Sequence, residues 1–211
     1  HEWYYGRDPP ARKSMKYFRL LRIADGISMI SLVFAFNSIS KIYEGSAKWS
    51  ILYFLIAFLF DLLDGYVSRR FQMGGELGRI IDSIVDFFTY CIFSAYFIVR
   101  FINPNQFIGY VCASFIVVLG AIRLSRFVKV GVLKDSSGLY YRGITVVHVA
   151  LLIVLSYLIP MFRSGIPAIL VQLAIILFSV GMLSQYKSRK VSSGILAFGI
   201  IIIFVTVLVT F

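Results

Sequence analysis

The chain has 211 residues, of which 59% are hydrophobic and 17% aromatic, whereas only 15% are charged. A soluble domain of this length carries a much larger charged fraction, so the composition excludes a soluble protein and indicates an integral membrane protein. The formal net charge of +11 suits an anionic lipid leaflet or anionic substrates. We expect membrane lipids as partners and no nucleic acid, because so apolar a chain offers no soluble groove to DNA.

Residues 1–22 mix aromatic and cationic side chains, as is typical of a cytoplasmic juxtamembrane segment, here an N-terminal interfacial helix, at the headgroup level. We do not expect a cleavable signal peptide there, because cations and prolines replace the short apolar core that such a peptide needs. Residues 23–211 are predicted to form one transmembrane domain. The apolar stretches in it, each near the roughly 20 residues that a spanning helix needs, are 24–43, 49–68, 80–101, 106–128, 143–161, 166–186 and 192–211.

The predicted fold class is all-α, a polytopic transmembrane helical bundle. Helices satisfy their backbone groups internally, and the alternating polarity of a spanning β-barrel is not seen in this sequence. If the N-terminus is cytoplasmic, 17 of the 21 Lys and Arg residues lie on the cytoplasmic side. Membrane proteins generally carry an excess of Lys and Arg in their cytoplasmic loops. We therefore predict a protein of the cytoplasmic membrane with its N-terminus inside.

Four aspartates interrupt the second and third apolar stretches. Asp61 and Asp64 are three residues apart, and Asp82 and Asp86 are four apart, so each pair shares one helix face. Each carboxylate near a bilayer centre costs roughly 2.5–3.5 kcal/mol unless cations or water compensate it. Because the two helices run in opposite directions, all four are predicted to meet in the cytoplasmic half of the membrane.

A cluster of carboxylate oxygens favours Mg²⁺ or Mn²⁺, with Ca²⁺ also able to bind, over Zn²⁺, for which Cys or His ligands would be expected. Two divalent ions would neutralise four aspartates. A pair of such ions can hold a pyrophosphate and stabilise displacement at phosphorus. We predict a two-metal site here, and we interpret Cys91 and Cys112 as packing residues.

The segment from Asp61 to Asp86 resembles the signature of the CDP-alcohol phosphotransferases, D-x2-D-G-x2-A-R-x8-G-x3-D-x3-D. Every position matches except Ser68, which replaces the usual alanine. The resemblance implies a six-helix core, homodimeric assembly, and transfer of a substituted phosphate from a CDP-linked lipid to a small polar alcohol, with release of CMP. The seventh apolar stretch exceeds that core and is expected to be peripheral.

The resemblance also implies residue roles. Asp61, Asp64 and Asp82 would ligate metal, and Asp86 would share the metal site and act as the catalytic base. The nucleotide would be bound by Asp61, Gly65, Ser68, Arg69 and Gly78.

A second segment, residues 120–127, resembles the G-A-L-R-L-A-R-F segment of phosphatidylserine synthases in the same family. Asp25, followed by Ser28, is similar to the start of archaeal serine enzymes. These resemblances imply serine as the acceptor, with Arg123 and Arg126 gripping its carboxylate or a lipid phosphate. This chain departs from the pattern at Val128 and Tyr140, where the family often has asparagine and proline.

Alternatives remain open for several of these residues. Arg123 and Arg126 are also placed to snorkel to the membrane surface, and Asp25 to cap its helix. Lys129 and Arg142 are either orientation charges or ligands for a phosphorylated acceptor, namely inositol phosphate or glycerol 3-phosphate. A different class of function, a divalent-cation transporter, would also use intramembrane aspartates.

Overall fold

The structure is a computed structural model. It describes residues 23–70, 76–102, 105–130, 133–135, 138–142, 144–184, 187–189, 199 and 206–207. The predicted juxtamembrane segment 1–22 and most of the seventh apolar stretch, 192–211, lie outside the described residues.

Helices make up nearly all of the described chain. They are α1 (Ile23–Tyr43), α2 (Ala47–Arg70), α3 (Glu76–Asp86), a π-helical segment (Phe87–Ile92), α4 (Phe93–Phe101), α5 (Gln106–Val130), α6 (Val146–Leu158) and α7 (Gly165–Gly181). The segment from α3 through α4 is one continuous run, called the third spanning helix below. The all-α prediction is confirmed.

Among the described residues, four helical runs are long and apolar enough to cross a membrane. They are Asp25–Tyr43, Ala47–Ser68, Gly78–Phe101 and Gln106–Lys129. These runs confirm the first four predicted spans to within a few residues. The fifth and sixth apolar stretches contain the shorter helices α6 and α7.

The fifth apolar stretch, predicted over 143–161, yields only 13 helical residues. At 1.5 Å per residue, α6 is about 20 Å long, less than the roughly 30 Å of a bilayer's hydrocarbon core. Pro160 accounts for its end, because proline lacks a backbone N–H and disfavours helical geometry in the residue before it. Ile159 accordingly adopts φ −93° and ψ 109°, and a 3₁₀ turn, Pro160–Arg163, leads into α7.

Three short strands, which the sequence analysis did not predict, join the polar connections at one end of the bundle. They are β1 (Leu133–Asp135), β2 (Gly138–Arg142) and β3 (Lys187–Arg189), antiparallel and in that spatial order. Leu133 pairs with Tyr140, and Tyr140 pairs with Arg189 on its other side. The sheet ties the connection after α5 to the chain that follows α7.

Small and hydroxylic residues bring α1 against α2. The buried positions of α1 recur every three or four residues, as expected for one helix face, and they are Asp25, Ser28, Ser31, Ala35, Ser38 and Ile42. Ser31 Oγ donates to the Ala57 carbonyl at 2.8 Å, and Ser38 Oγ to the Ser50 carbonyl at 2.9 Å. Small side chains and cross-helix hydrogen bonds are the usual means by which helices pack tightly in lipid.

An aromatic core joins α2 to the third spanning helix. Phe54 and Phe93 stack with their ring centroids 4.2 Å apart and their planes within 7°. The Tyr90 ring meets Phe58 edge-on at 5.5 Å. Offset stacks and edge contacts of this kind are favoured aromatic geometries. This packing fixes α2 beside the helix that carries Asp82 and Asp86.

Candidate metal centre and active site

Three of the four aspartates converge between α2 and α3. Asp61, Asp64 and Asp82 each offer a carboxylate oxygen, and these oxygens all lie within 4.8 Å of one another. Asp64 is buried, whereas Asp61 and Asp82 are half-buried. The structure thus brings together the residues whose spacing predicted a shared site. Three oxygen donors in an otherwise apolar setting fit a hard divalent cation, which would also offset their mutual repulsion.

Asp86 is the last residue of α3, at the point where the π-helical segment begins. Its side chain lies close enough to Asp61, Asp82 and Arg123 to interact electrostatically with all three. The fourth carboxylate therefore borders the converging three and faces a cation on α5. That position suits a group that acts beside a metal centre.

Two hydroxyl groups hold the carboxylates of α2. Ser28 Oγ on α1 donates to Asp64 Oδ2. Tyr90 OH, in the π-helical segment, donates to Asp61 Oδ2 at 2.6 Å. Neither contact follows from the motifs, because Ser28 lies only within a segment resembling archaeal serine enzymes and Tyr90 lies beyond the signature. The contact of Ser28 with Asp64 had one local signal. Ser28 follows Asp25 by three residues, and residues i and i+3 share a helix face.

The signature glycine Gly78 marks a close approach of α1 and α3. Asp25 Oδ1 lies 3.4 Å from the point that a Cβ would occupy at Gly78. Asp25 is buried, so the first turn of α1 packs closely against α3 at this signature position. Gly65 and Ser68, the other small signature residues, are half-buried on α2.

The predicted cationic residues separate into distinct groups. Arg123 is only 7% exposed, and its guanidinium lies over the Phe127 ring at 6.0 Å from the centroid. Arg126 is exposed and donates to the Leu183 carbonyl at 3.3 and 3.4 Å, and Lys129 is exposed as well. Arg123 alone of these three is buried and interacts with an aspartate of the signature. The side chains of Arg69 and Arg142 lie outside the described residues.

The two cysteines lie in the interior, and His148 pairs within its own segment of the chain. Cys91 and Cys112 are free and buried, in agreement with their interpretation as packing residues. His148, in the first turn of α6, pairs through Nδ1 with Thr145 Oγ1 and interacts electrostatically with Arg123.

The fold and the site together define a polytopic helical membrane protein with an intramembrane carboxylate cluster able to bind divalent metal. The sequence profile of the CDP-alcohol phosphatidyltransferase family matches residues 21–210. The chain belongs to this family and is a transferase of phospholipid synthesis. Membership also removes the basis for the transporter alternative, because the aspartates are those of the transferase signature.

The chain is similar to several curated relatives whose names refer to serine. The chain is 29% identical over 180 residues to archaetidylserine synthase of Methanothermobacter thermautotrophicus, covering 83% of this chain and 73% of the relative. It is 28% identical over 114 residues to CDP-diacylglycerol–serine O-phosphatidyltransferase of Methanocaldococcus jannaschii, covering 52% and 50%. The enzyme of the same name from Bacillus subtilis is 30% identical over 81 residues, covering 37% and 45%.

Proposed function

We propose that the protein transfers the phosphatidyl group of CDP-diacylglycerol, or the corresponding group of CDP-archaeol, to the hydroxyl of L-serine and releases CMP. The observation that carries the proposal is the convergence of Asp61, Asp64 and Asp82, with Asp86 and the buried Arg123 beside them. The names of the relatives support serine as the acceptor.

The converging aspartates would hold Mg²⁺ or Mn²⁺, with Asp86 completing the set for a second ion. The donor chemistry supports these ions over softer metals and leaves Ca²⁺ able to bind. When bound, the ions would neutralise the pyrophosphate of the donor and stabilise charge at the reacting phosphorus. Asp61, Gly65, Ser68, Arg69 and Gly78 would border the nucleotide.

The reaction is a displacement at the phosphorus that carries the lipid. The serine hydroxyl oxygen forms a bond to this phosphorus, and the bond to the oxygen bridging it to the CMP phosphate breaks. CMP leaves with that electron pair, and Asp86 accepts the hydroxyl proton. Its place at the rim of the cluster supports this role, since a base must reach the proton that it removes.

The acceptor would be held by Arg123. A buried guanidinium can bind the carboxylate of serine bidentately, and its charge interacts with Asp86, which brings the acceptor near the base. Asp25, which is buried beside Gly78, would contribute to acceptor binding, as its resemblance to the start of archaeal serine enzymes suggests. Arg126 would contribute less, because its guanidinium is exposed and bonded to a backbone carbonyl.

A phosphorylated acceptor, inositol phosphate or glycerol 3-phosphate, is the second candidate on the same chemistry. The observation that favours it is the cationic character of the end of α5 and of β2, where Lys129 and Arg142 lie. These residues would bind the additional phosphate.

The surrounding assembly is also part of the proposal. We infer a homodimer in the cytoplasmic membrane, with the N-terminus and the active site on the cytoplasmic side. The excess of Lys and Arg on that side supports the orientation, and the family resemblance supports the dimer.

The test of the acceptor is CMP release by the purified protein with CDP-diacylglycerol and Mn²⁺ or Mg²⁺. Serine, inositol phosphate, glycerol 3-phosphate and no acceptor are compared side by side. Release that requires serine is the expected result. Release that requires a phosphorylated acceptor would overturn the serine assignment, but it would leave the proposed transfer from a CDP-linked lipid standing.

A further inference from the structure

The third spanning helix changes its hydrogen bonding immediately after Asp86. From Phe87 to Ile92 it is π-helical, and the Phe93 N–H bonds back to the carbonyl of Phe88, five residues earlier. Such wide turns are rare and often lie at functional sites. This one carries Tyr90, whose hydroxyl crosses to α2 and meets Asp61.

The Tyr90 ring is fixed by its neighbours. It is only 1% exposed, and it meets the rings of Phe54 and Phe58 edge-on, at centroid distances of 6.1 and 5.5 Å. A ring packed in this way has little rotational freedom, so its hydroxyl is held in one place before any ligand arrives.

The bond from Tyr90 OH to Asp61 Oδ2 measures 2.6 Å, a length typical of a hydroxyl that donates to a charged oxygen. A carboxylate has several acceptor positions, so this bond does not use up the capacity of Asp61 to bind a cation. Hydrogen bonds from surrounding groups orient metal ligands and commonly affect affinity strongly when they are removed.

We propose that Tyr90 is a positioning residue that holds the Asp61 carboxylate in the orientation required to bind the divalent ion. The inference rests on the proposed metal role of Asp61. Tyr90 does not touch the reacting atoms in this account. It acts through Asp61, and the π-helical segment brings it there.

The test compares Tyr90→Phe with wild type and with Tyr157→Phe. Tyr157 is a matched control, because it is also buried, on α6, and its ring packs edge-on against Phe97 at 5.2 Å. Mn²⁺ binding to the purified protein is measured by electron paramagnetic resonance in detergent, with no lipid donor or acceptor present. Melting temperatures of all three proteins are recorded in parallel.

We expect Tyr90→Phe to bind Mn²⁺ about 10- to 100-fold more weakly than wild type, with Tyr157→Phe unchanged. CMP release by Tyr90→Phe should recover as the Mn²⁺ concentration is raised, so the loss appears in the metal requirement and not in the maximal rate. Equal Mn²⁺ affinity in Tyr90→Phe and wild type would overturn the inference while leaving the metal site intact. Failure of wild type to bind Mn²⁺ more tightly than Asp61→Asn would overturn the proposed metal site itself.

Discussion

The four aspartates of the site differ in their surroundings, and the differences separate their expected roles. Asp64 is 4% exposed and accepts a hydrogen bond from Ser28, so it has the setting of a structural ligand. Asp86 lies at the end of α3 and interacts with both Asp61 and Arg123. A carboxylate between the cluster and a buried cation is placed to act on a substrate.

Replacing Asp86 with asparagine should lower CMP release by about 10²- to 10⁴-fold, the usual contribution of a general base, while CDP-lipid binding is nearly unchanged. Asp64→Asn should instead lose metal-dependent binding of the CDP-lipid. Both are measured with purified protein, by CMP release and by binding of the CDP-lipid with and without Mn²⁺. Glu44→Gln, in the exposed turn between α1 and α2, is the matched control. Wild-type activity in Asp86→Asn would contradict the assignment.

The two arginines of α5 should respond differently to substitution. Arg123→Gln removes a buried charge and should raise the KM for serine about 10- to 100-fold, in line with the loss of a hydrogen bond to a charged group. Arg126→Gln should change it little, because Arg126 is exposed and bonded to Leu183. Steady-state CMP release at varied serine concentration measures both. A larger effect from Arg126→Gln would reverse the assignment.

The sequence predicts the aspartates well but not their partners. Spacings of three and four residues place carboxylates on one helix face whatever the fold, so the pairs follow from the sequence alone. The contacts of Ser28 with Asp64 and of Tyr90 with Asp61 join residues 36 and 29 positions apart. Such contacts depend on how helices pack, which no local pattern specifies.

At the scale of the helix, hydropathy predicts spans but not their internal geometry. Mean hydropathy over a window of residues does not report backbone hydrogen bonding. The π-helical segment, the early end of α6 and the small sheet all depend on that bonding. A proline is a local signal for a helix end, and α6 does end just before Pro160. The strands were not predictable, because β1 and β3 have three residues each and lie in polar connections.

Gly120 on α5 packs against the π-helical segment. A Cβ at this position would lie 2.4 Å from Cys91 Sγ and 3.7 Å from Val146 Cγ1. Gly120→Ala should therefore destabilise the protein by about 1–3 kcal/mol through overpacking. Adding Cys91→Ala should restore much of the loss, since the remaining Cβ contact at 3.5 Å is an ordinary one.

Thermal unfolding in detergent measures this pair as a double-mutant cycle. Gly26→Ala is the control, because a Cβ there meets nothing within 4 Å. If Cys91→Ala fails to relieve Gly120→Ala, the helices are not packed through this contact.

At the scale of the whole molecule, the exposed surface is that of a membrane protein. Large apolar side chains face outward along the helices, among them Phe36 at 69%, Phe107 at 75% and Leu177 at 72% exposure. In water, so many exposed apolar side chains would favour association, but in a bilayer they contact lipid tails. Inside the bundle, polar groups of α1 and α2 pair with each other instead, as Ser28 does with Asp64 and Ser31 with the Ala57 carbonyl.

The proposed orientation can be tested with introduced cysteines, because both native cysteines are buried. Glu44, just after α1, and Lys129, in the last turn of α5, are both exposed, and the proposed topology puts them on opposite sides of the membrane. In intact cells, a membrane-impermeant maleimide should label Glu44→Cys and not Lys129→Cys, and permeabilised cells should show labelling of both. Labelling of Lys129→Cys from outside would reverse the topology and move the active site to the other face.

We propose that the aspartate cluster catalyses metal-dependent transfer to serine. The most direct test follows labelled serine into chloroform-soluble lipid together with CMP, using purified protein, CDP-diacylglycerol and Mn²⁺. We expect lipid and CMP to form in equal amounts, neither to form after chelation of the metal, and both to return when Mn²⁺ is restored. Undiminished formation of serine lipid by Asp86→Asn, or in the presence of chelator, would contradict it.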